Sequence, residues 1–274
     1  MVSAKEICLE NSARLWVWKD RLVLPDFVTW NVRNISYAGM EGLIQEEVNL
    51  FKIFINQRIN EPFDFLNKLN LPILNALWKV TVGERFEYDN PRLLSIVERL
   101  TEAFEIFGNP SQALLLAYPW LMNIIPSFFQ KERTDRVFMD VADLMLENIL
   151  RHKETLDPNE PRDFTDMMLI EIERTTEESS SLYGQLGIDN LKVTLFDLFL
   201  AGSETTSTTL TWAALYLVRY PEVQSRVQEE LDRVVGVDRL PAMKDRADLP
   251  YTEAVMMEIQ RHANIVPMGV QHIK

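Results

Sequence analysis

The sequence predicts a mainly α protein, and three observations predict it. Apolar residues recur at helical spacing in several long segments, alternating β-type segments are almost absent, and Pro, Gly and polar runs separate the periodic stretches. With 274 residues, 47% hydrophobic and 25% charged, the composition is globular and excludes disorder, collagen and low-complexity arrays. A folded unit of this size buries roughly three quarters of its unfolded surface, so one large domain is the expectation. No internal repeat is visible.

Taken in order, residues 41–60 carry Ile44, Val48, Phe51 and Ile55 at i, i+4, i+7 and i+11, one stripe of a helix facing a core. Residues 128–156 place Val137, Val141, Leu144, Met145 and Ile149 on one side, with Lys131, Glu132, Arg133, Asp135 and Glu147 mostly elsewhere. Pro221 opens a third helix, in which Val223, Val227, Leu231 and Val234 line one face. Glu222/Arg226 and Glu229/Arg233 are spaced as supporting i, i+4 pairs, and Gly236 ends the helix. Asn109-Pro110, the run Asp157-Pro158-Asn159-Glu160-Pro161 and the polar stretch 175–181 read as turns and surface loops.

Charge and cysteine usage remove several function classes. A formal charge of −13 repels a phosphate backbone, so no nucleic-acid partner is expected. The single cysteine, Cys8, excludes an internal disulfide framework and any multi-cysteine metal site. Residues 1–10 carry Lys5, Glu6 and Glu10 and lack an apolar core segment, so neither a signal peptide nor a membrane anchor is expected there. Residues 191–218 are apolar, but Lys192, Asp197, Glu204 and a Ser/Thr run interrupt them, which fits a buried helix better than a membrane span.

That same stretch holds the most informative chemistry. In Asp197-Leu198-Phe199-Leu200-Ala201-Gly202-Ser203-Glu204-Thr205-Thr206, a Gly, an acid and hydroxyls occupy the middle of an apolar helix, where Gly costs about 1 kcal/mol relative to Ala. One reading is a place where something approaches the backbone and a proton is handled. The other is a Thr-rich helix–helix contact with Glu204 exposed. Glu258-Ile259-Gln260-Arg261 puts a carboxylate and a guanidinium on one helix face, as a surface pair or a buried one. Of the histidines, His152 lies in a charged segment and reads as solvated, His262 follows the Glu/Arg pair, and His272 sits in an apolar, extended segment where its ring needs a partner. They have no metal-ligand spacing, and no phosphate loop or nucleophile elbow is present.

Together, and in this order, these elements resemble the cytochrome P450 superfamily, the haem-thiolate monooxygenases, and most closely its microsomal family 2 group. Ala201-Gly202-Ser203-Glu204-Thr205-Thr206 is similar to the oxygen-activating motif of the family's long central helix, and Glu258-Ile259-Gln260-Arg261 to its E-x-x-R. Tyr220-Pro221-Glu222-Val223-Gln224 and Asp248-Leu249-Pro250-Tyr251-Thr252-Glu253-Ala254-Val255 are similar to the connecting segments. Gly83-Glu84-Arg85-Phe86-Glu87-Tyr88-Asp89 and Pro161-Arg162-Asp163-Phe164-Thr165-Asp166 also follow the family pattern.

The resemblance implies a monooxygenase of the endoplasmic reticulum membrane, using haem iron, dioxygen and electrons from an NADPH-dependent reductase to oxidise a small apolar substrate. It implies that Thr205 and Glu204 deliver protons, that Ala201, Gly202 and His272 meet the cofactor, and that Phe199, Val266 and Val270 face the substrate. Glu258 and Arg261 are implied to be structural.

The sequence also departs from the family. The iron ligand comes from a cysteine in a Gly- and Phe-containing loop well downstream of E-x-x-R, and the sequence stops at Lys274 before it. Cys8 lies at the other end, among Ile7, Leu9 and Glu10, so no metal ligand is expected in the chain. An N-terminal anchor, the early β-sheet and a haem-contacting Trp/Arg pair are unrecognisable. The expectation is a partial cytochrome P450 fold, the central helical portion without most of the β-sheet and the cysteine loop. Residues 1–32 are a divergent segment and 33–274 the partial domain. The chain reads as a fragment, a mis-assembled product or a degenerate copy, inactive alone. A different class remains beside it: a non-catalytic helical protein that binds apolar ligands or partner helices.

Overall fold

The computed structural model describes residues 37–58, 68–109, 111, 114, 115, 118 and 120–266. These residues are helical and contain no strand, as the sequence and its resemblance imply. The α-helices are α1 (Tyr37–Asn56), α2 (Asn70–Val82), α3 (Pro91–Phe107), α4 (Leu121–Ile124), α5 (Lys131–Thr155), α6 (Phe164–Arg174), α7 (Gly184–Arg219), α8 (Pro221–Val234) and α9 (Pro250–Ala263), with a 3-10 helix at Met243–Asp248. Contacts divide the chain into two compact units: residues 74–204 in one, and residues 37–73 with 205–266 in the other.

In the first unit, α5 presents the predicted face: Val137, Val141, Met145 and Ile149 are buried and Leu144 is half-buried. Val137 meets Ala103 and Ile106 of α3, with Leu200 of α7 against them, and Phe138 packs on Phe196 with ring centres 5.1 Å apart. Ion pairs border the α3–α5 seam: Arg92 with Glu147 (3.0 Å), Arg99 with Asp140 (3.2 Å), and Arg133 with Glu102 (2.7 Å) and Glu105 (2.9 Å). Such partly exposed pairs add little stability each, but their spacing along both helices fixes register. Asn90 caps α3 by accepting the Arg92 N–H at 2.8 Å, with Pro91 at the first helical position. Asn75 of α2 holds Phe86 by both backbone groups, donating to its carbonyl (2.8 Å) and accepting its N–H (3.1 Å), and so fixes the segment after α2.

In the second unit, α1 is rotated from the expected stripe. Phe51 is buried and Ile55 half-buried as expected, but Ile44 and Val48 are 48% and 45% exposed, while Leu43 and Leu50 are half-buried and Glu47 buried, a displacement of about one residue in the first half of the helix. Polar contacts account for the rotation: Gln45 donates to the Pro241 carbonyl at 3.0 Å, and Glu41 accepts the Met243 N–H at 2.5 Å. α8 keeps Val223, Val227, Leu231 and Val234 half-buried and ends at Gly236, whose N–H bonds the Leu231 carbonyl at 3.2 Å. Its expected i, i+4 pairs do not form. Arg226 lies over the Tyr251 ring (4.0 Å) and Arg233 turns to Glu230 (3.9 Å), because α9 packs alongside and offers a ring and a cap. Buried Glu230 accepts the backbone N–H groups of Tyr251 (3.1 Å) and Thr252 (2.7 Å) and the Thr252 hydroxyl (2.7 Å), satisfying orphan donors at the start of α9.

Met145 is fully buried on the central seam, so Met145→Ala should lower unfolding free energy by about 2–5 kcal/mol, read as a shift of the urea midpoint at unchanged slope.

Candidate active site

The candidate site lies on α7, a helix of 36 residues. Its polar residues are largely accommodated by the helix itself. The hydroxyls of Thr194, Ser203 and Thr209 donate to the carbonyls of Asn190 (2.8 Å), Phe199 (2.7 Å) and Thr205 (2.7 Å), four residues back in each case. The run of Ser and Thr therefore needs no partner helix to satisfy these groups.

Within the first unit, Phe199 is completely buried against Trp78, ring centres 4.9 Å apart, and Ala201 is exposed. Gly202 is half-buried because α2 comes close: a Cβ built there would fall 3.0 Å from Leu77 Cδ1. The space left by the missing side chain is thus filled by Leu77. Glu204 is half-buried at the edge of this unit, and Thr205, half-buried, begins the helical segment of the second. Ala201 and Thr205 stand four residues apart and share a helix face.

In the second unit, Arg261 grips Glu258 through two bonds (2.7 and 2.8 Å), and His262 adds a third contact to Glu258 at 3.1 Å. The side chains are 65% and 57% exposed for Arg261 and Glu258, which settles the alternative between a buried and a surface pair in favour of the surface. Hydrogen bonding from Arg261 brings the Glu258 carboxyl down to about 2. Val266 is exposed, whereas Val270 and His272 lie outside the described residues, as does Cys8.

Two features escaped the sequence reading. Asp197 sits one turn before Ala201 and makes no hydrogen bond or ion pair among the described residues, and burial pushes its carboxyl up to about 6. The visible signal was a lone acid within an apolar run. The second is His152, expected in solvent but buried, its ring held between Asn148 and Asp163. The charged neighbours that suggested exposure are on other faces of the helix.

A family model for cytochrome P450 matches residues 9–274. The chain belongs to the cytochrome P450 family. Among curated relatives, it is 38% identical to cytochrome P450 2F5 of Gorilla gorilla gorilla and 35% identical to cytochrome P450 2F2 of Mus musculus, over 93% of this chain and 51% of each relative. Identity to cytochrome P450 2J5 of Mus musculus is 34%, over 98% of this chain and 52% of the relative. The chain therefore spans about half the length of the curated relatives it matches.

Cytochrome P450 proteins are oxidoreductases that work with haem iron. The donor set of the described residues only partly fits that group. Ala201 is small and exposed, so its side of the helix is open to an apolar group, but no cysteine is among the described residues to ligate iron.

The packing at Gly202 sets one expectation. Gly202→Ala gains helix propensity of about 1 kcal/mol against a tight Leu77 contact, so urea unfolding should stay within about 1 kcal/mol of wild type. Gly202→Val should lose about 1–3 kcal/mol through overpacking. The second expectation concerns pH. The Asp197 carboxyl ionises later in the folded than in the unfolded chain, so folding loses stability as pH rises from about 4 through about 6 and then levels off. Asp197→Asn should remove that loss, gaining roughly 1–3 kcal/mol on wild type at pH 8 and little at pH 3.

Proposed function

We propose that these helices serve a haem-dependent monooxygenase that inserts one atom of dioxygen into a small apolar molecule, with electrons from an NADPH-dependent reductase at the endoplasmic reticulum membrane. The observation that carries the reading is the placement of Ala201, Glu204 and Thr205 over barely more than one turn of α7, with a small, exposed residue beside a carboxyl and a hydroxyl. Haem iron, when bound through a thiolate, supplies the oxygen-cleaving chemistry.

In this reading Thr205 holds a proton at its hydroxyl and would pass it toward the reacting oxygen, and the Glu204 carboxyl group, taking a proton from solvent, would resupply it. A positioned proton donor of this kind contributes about 10²–10⁴ in rate. Ala201 keeps the wall low, while Gly202 admits Leu77 and so lets α2 back the helix. Phe199, sealed against Trp78, shapes the apolar wall from behind, and Val266 and Val270 supply apolar surface to the substrate. His272 would hold a haem carboxylate, and Glu258 with Arg261 would be structural. None of the described helices is long and apolar enough to cross a membrane.

Thr205→Ala in a full-length enzyme carrying these helices should raise the electrons consumed per product formed, and unchanged coupling removes Thr205 from the role. For the 274-residue chain itself, haem added and reduced under carbon monoxide should give no thiolate-type, red-shifted band; adventitious ligation through His262 or His272 would give the band of a nitrogen-ligated haem, whereas the His152 ring is buried with both nitrogens engaged. A thiolate-type, red-shifted band that vanishes in Cys8→Ser would instead make Cys8 the ligand.

A further inference from the structure

Two segments that the proposed chemistry does not use, residues 83–89 and 161–166, meet at His152 in the first unit. The imidazole is about 95% enclosed, being 5% exposed, and Asp163 and Asp166 are 1% and 0% exposed. His152 Nδ1 lies 2.8 Å from the Asn148 carbonyl oxygen, and Nε2 lies 2.9 Å from Asp163 Oδ2. Both neighbours are acceptors. A neutral imidazole has one N–H and can serve only one of them, whereas an imidazolium donates to both.

The charge count agrees. Asp166 is covered by Arg162, which donates from its backbone N–H (3.1 Å) and from two guanidinium nitrogens (2.6 and 2.8 Å). Asp163 Oδ1 accepts the Asp166 N–H at 3.0 Å and so caps α6. That leaves one buried carboxylate charge opposite His152. Gly83, in the left-handed region at φ 74°, presses against it: a Cβ there would fall 2.7 Å from Asp163 Oδ2. Gly83 thus closes one side of that oxygen, and a proton on the ring supplies both acceptors with a donor.

We propose that His152, Arg162, Asp163 and Asp166 form a proton-operated clasp: with His152 charged it locks the end of α5 to the start of α6, and loss of that proton opens the intervening loop 156–162. Residues 157–160 are exposed and held, among the described residues, only by a local turn, in which Asp157 accepts the N–H groups of Asn159 (2.9 Å) and Glu160 (3.2 Å). The start of α6 is anchored separately, by fully buried Phe164 and by Thr165, whose hydroxyl donates to the Thr81 carbonyl of α2 at 2.7 Å.

Other charged groups also face the cluster. They are Arg151 on α5, paired with Glu84 after α2 at 2.9 Å, and Lys79 of α2, bonded to the Gly83 carbonyl at 3.1 Å. His152 is the group that changes. Burial pushes its pKa down, but the hydrogen bond and charge of Asp163 outweigh this and hold it above 6.5. A histidine whose pKa is raised on folding contributes stability that is complete below its unfolded pKa and lost as pH climbs through the folded one. The clasp is therefore shut in mildly acidic solution and opens on the alkaline side.

The test uses the 274-residue chain. Histidine ring resonances are titrated by NMR, with His152 identified as the signal absent from His152→Gln, and amide exchange over 150–166 is followed from pH 6 to 9 after correction for intrinsic exchange. His152 should titrate above 6.5, and Asp163→Asn should move that titration downward. Protection of the loop should fall by up to about tenfold per pH unit above the measured value, the slope of one released proton. His152→Gln, a neutral donor to Asp163, should show a flat profile. A His152 titration at or below 6.5, or the same loss of protection in His152→Gln, overturns the clasp.

Discussion

A helix buried along much of its length must satisfy every polar group it carries, and the arrangement of α7 follows from that constraint. Its first half is apolar and sits in the core of the first unit, where Leu191, Leu195 and Phe199 are fully buried. The Ser and Thr residues then return their hydroxyls to carbonyls four residues back. Such back-bonding slightly weakens and bends a helix, but it frees the surrounding side chains from supplying partners. Small residues at 201 and 202 can therefore serve approach rather than hydrogen bonding: one side is met by Leu77, the other is open at Ala201. Asp197 is the exception, an acid that the helix cannot satisfy by itself, and its raised pKa is the consequence.

The first unit solves a second problem, how to end α5 and start α6 across a turn rich in Pro and Asp. Orphan amides at the start of α6 need partners, and so does the buried ring of His152. Asp163 meets one of the amides, that of Asp166, His152 reaches back to the Asn148 carbonyl, and the two side chains bond each other. A capping carboxylate that is also a histidine's counter-charge couples a local helix signal to a tertiary contact. That coupling makes the junction responsive to protonation, whereas a Ser or Asn cap would leave it insensitive.

The difference between what could and could not be read in advance has the same origin. Helix existence was legible because burial imposes a 3.6-residue period, and α5 shows its expected face residue by residue. The stretch 197–206 was legible because Gly, an acid and hydroxyls contradict helix propensity where the apolar pattern continues. Facing was less secure: two hydrogen bonds, from Gln45 and to Glu41, turn α1 by about one residue, and no periodicity encodes partners some two hundred positions away. The ion pairs expected within α8 failed for a related reason. A helix alone offers Arg226 only its own acids, but a neighbouring helix offers the Tyr251 ring, and stacking there recovers apolar contact as well as charge. His152 was misread because sequence shows which residues are adjacent in the chain and not which face each takes.

The second unit shows why an exposed Glu/Arg pair can still be well ordered. Trp212 and Tyr216 of α7 and Tyr220 just after it recur every four residues and stack on one another, and His262 of α9 rests on Tyr216 with ring centres 5.7 Å apart. At the other end of α9, Glu230 receives the first amides and stays ionised because those donors offset the cost of its burial. The helix is thus pinned at both ends, by a carboxylate against its positive terminus and by a ring against an aromatic ladder. Glu258, Arg261 and His262 are presented from a backbone already fixed by these contacts. Their mutual bonds do not create the helix; they set the direction in which its charges point.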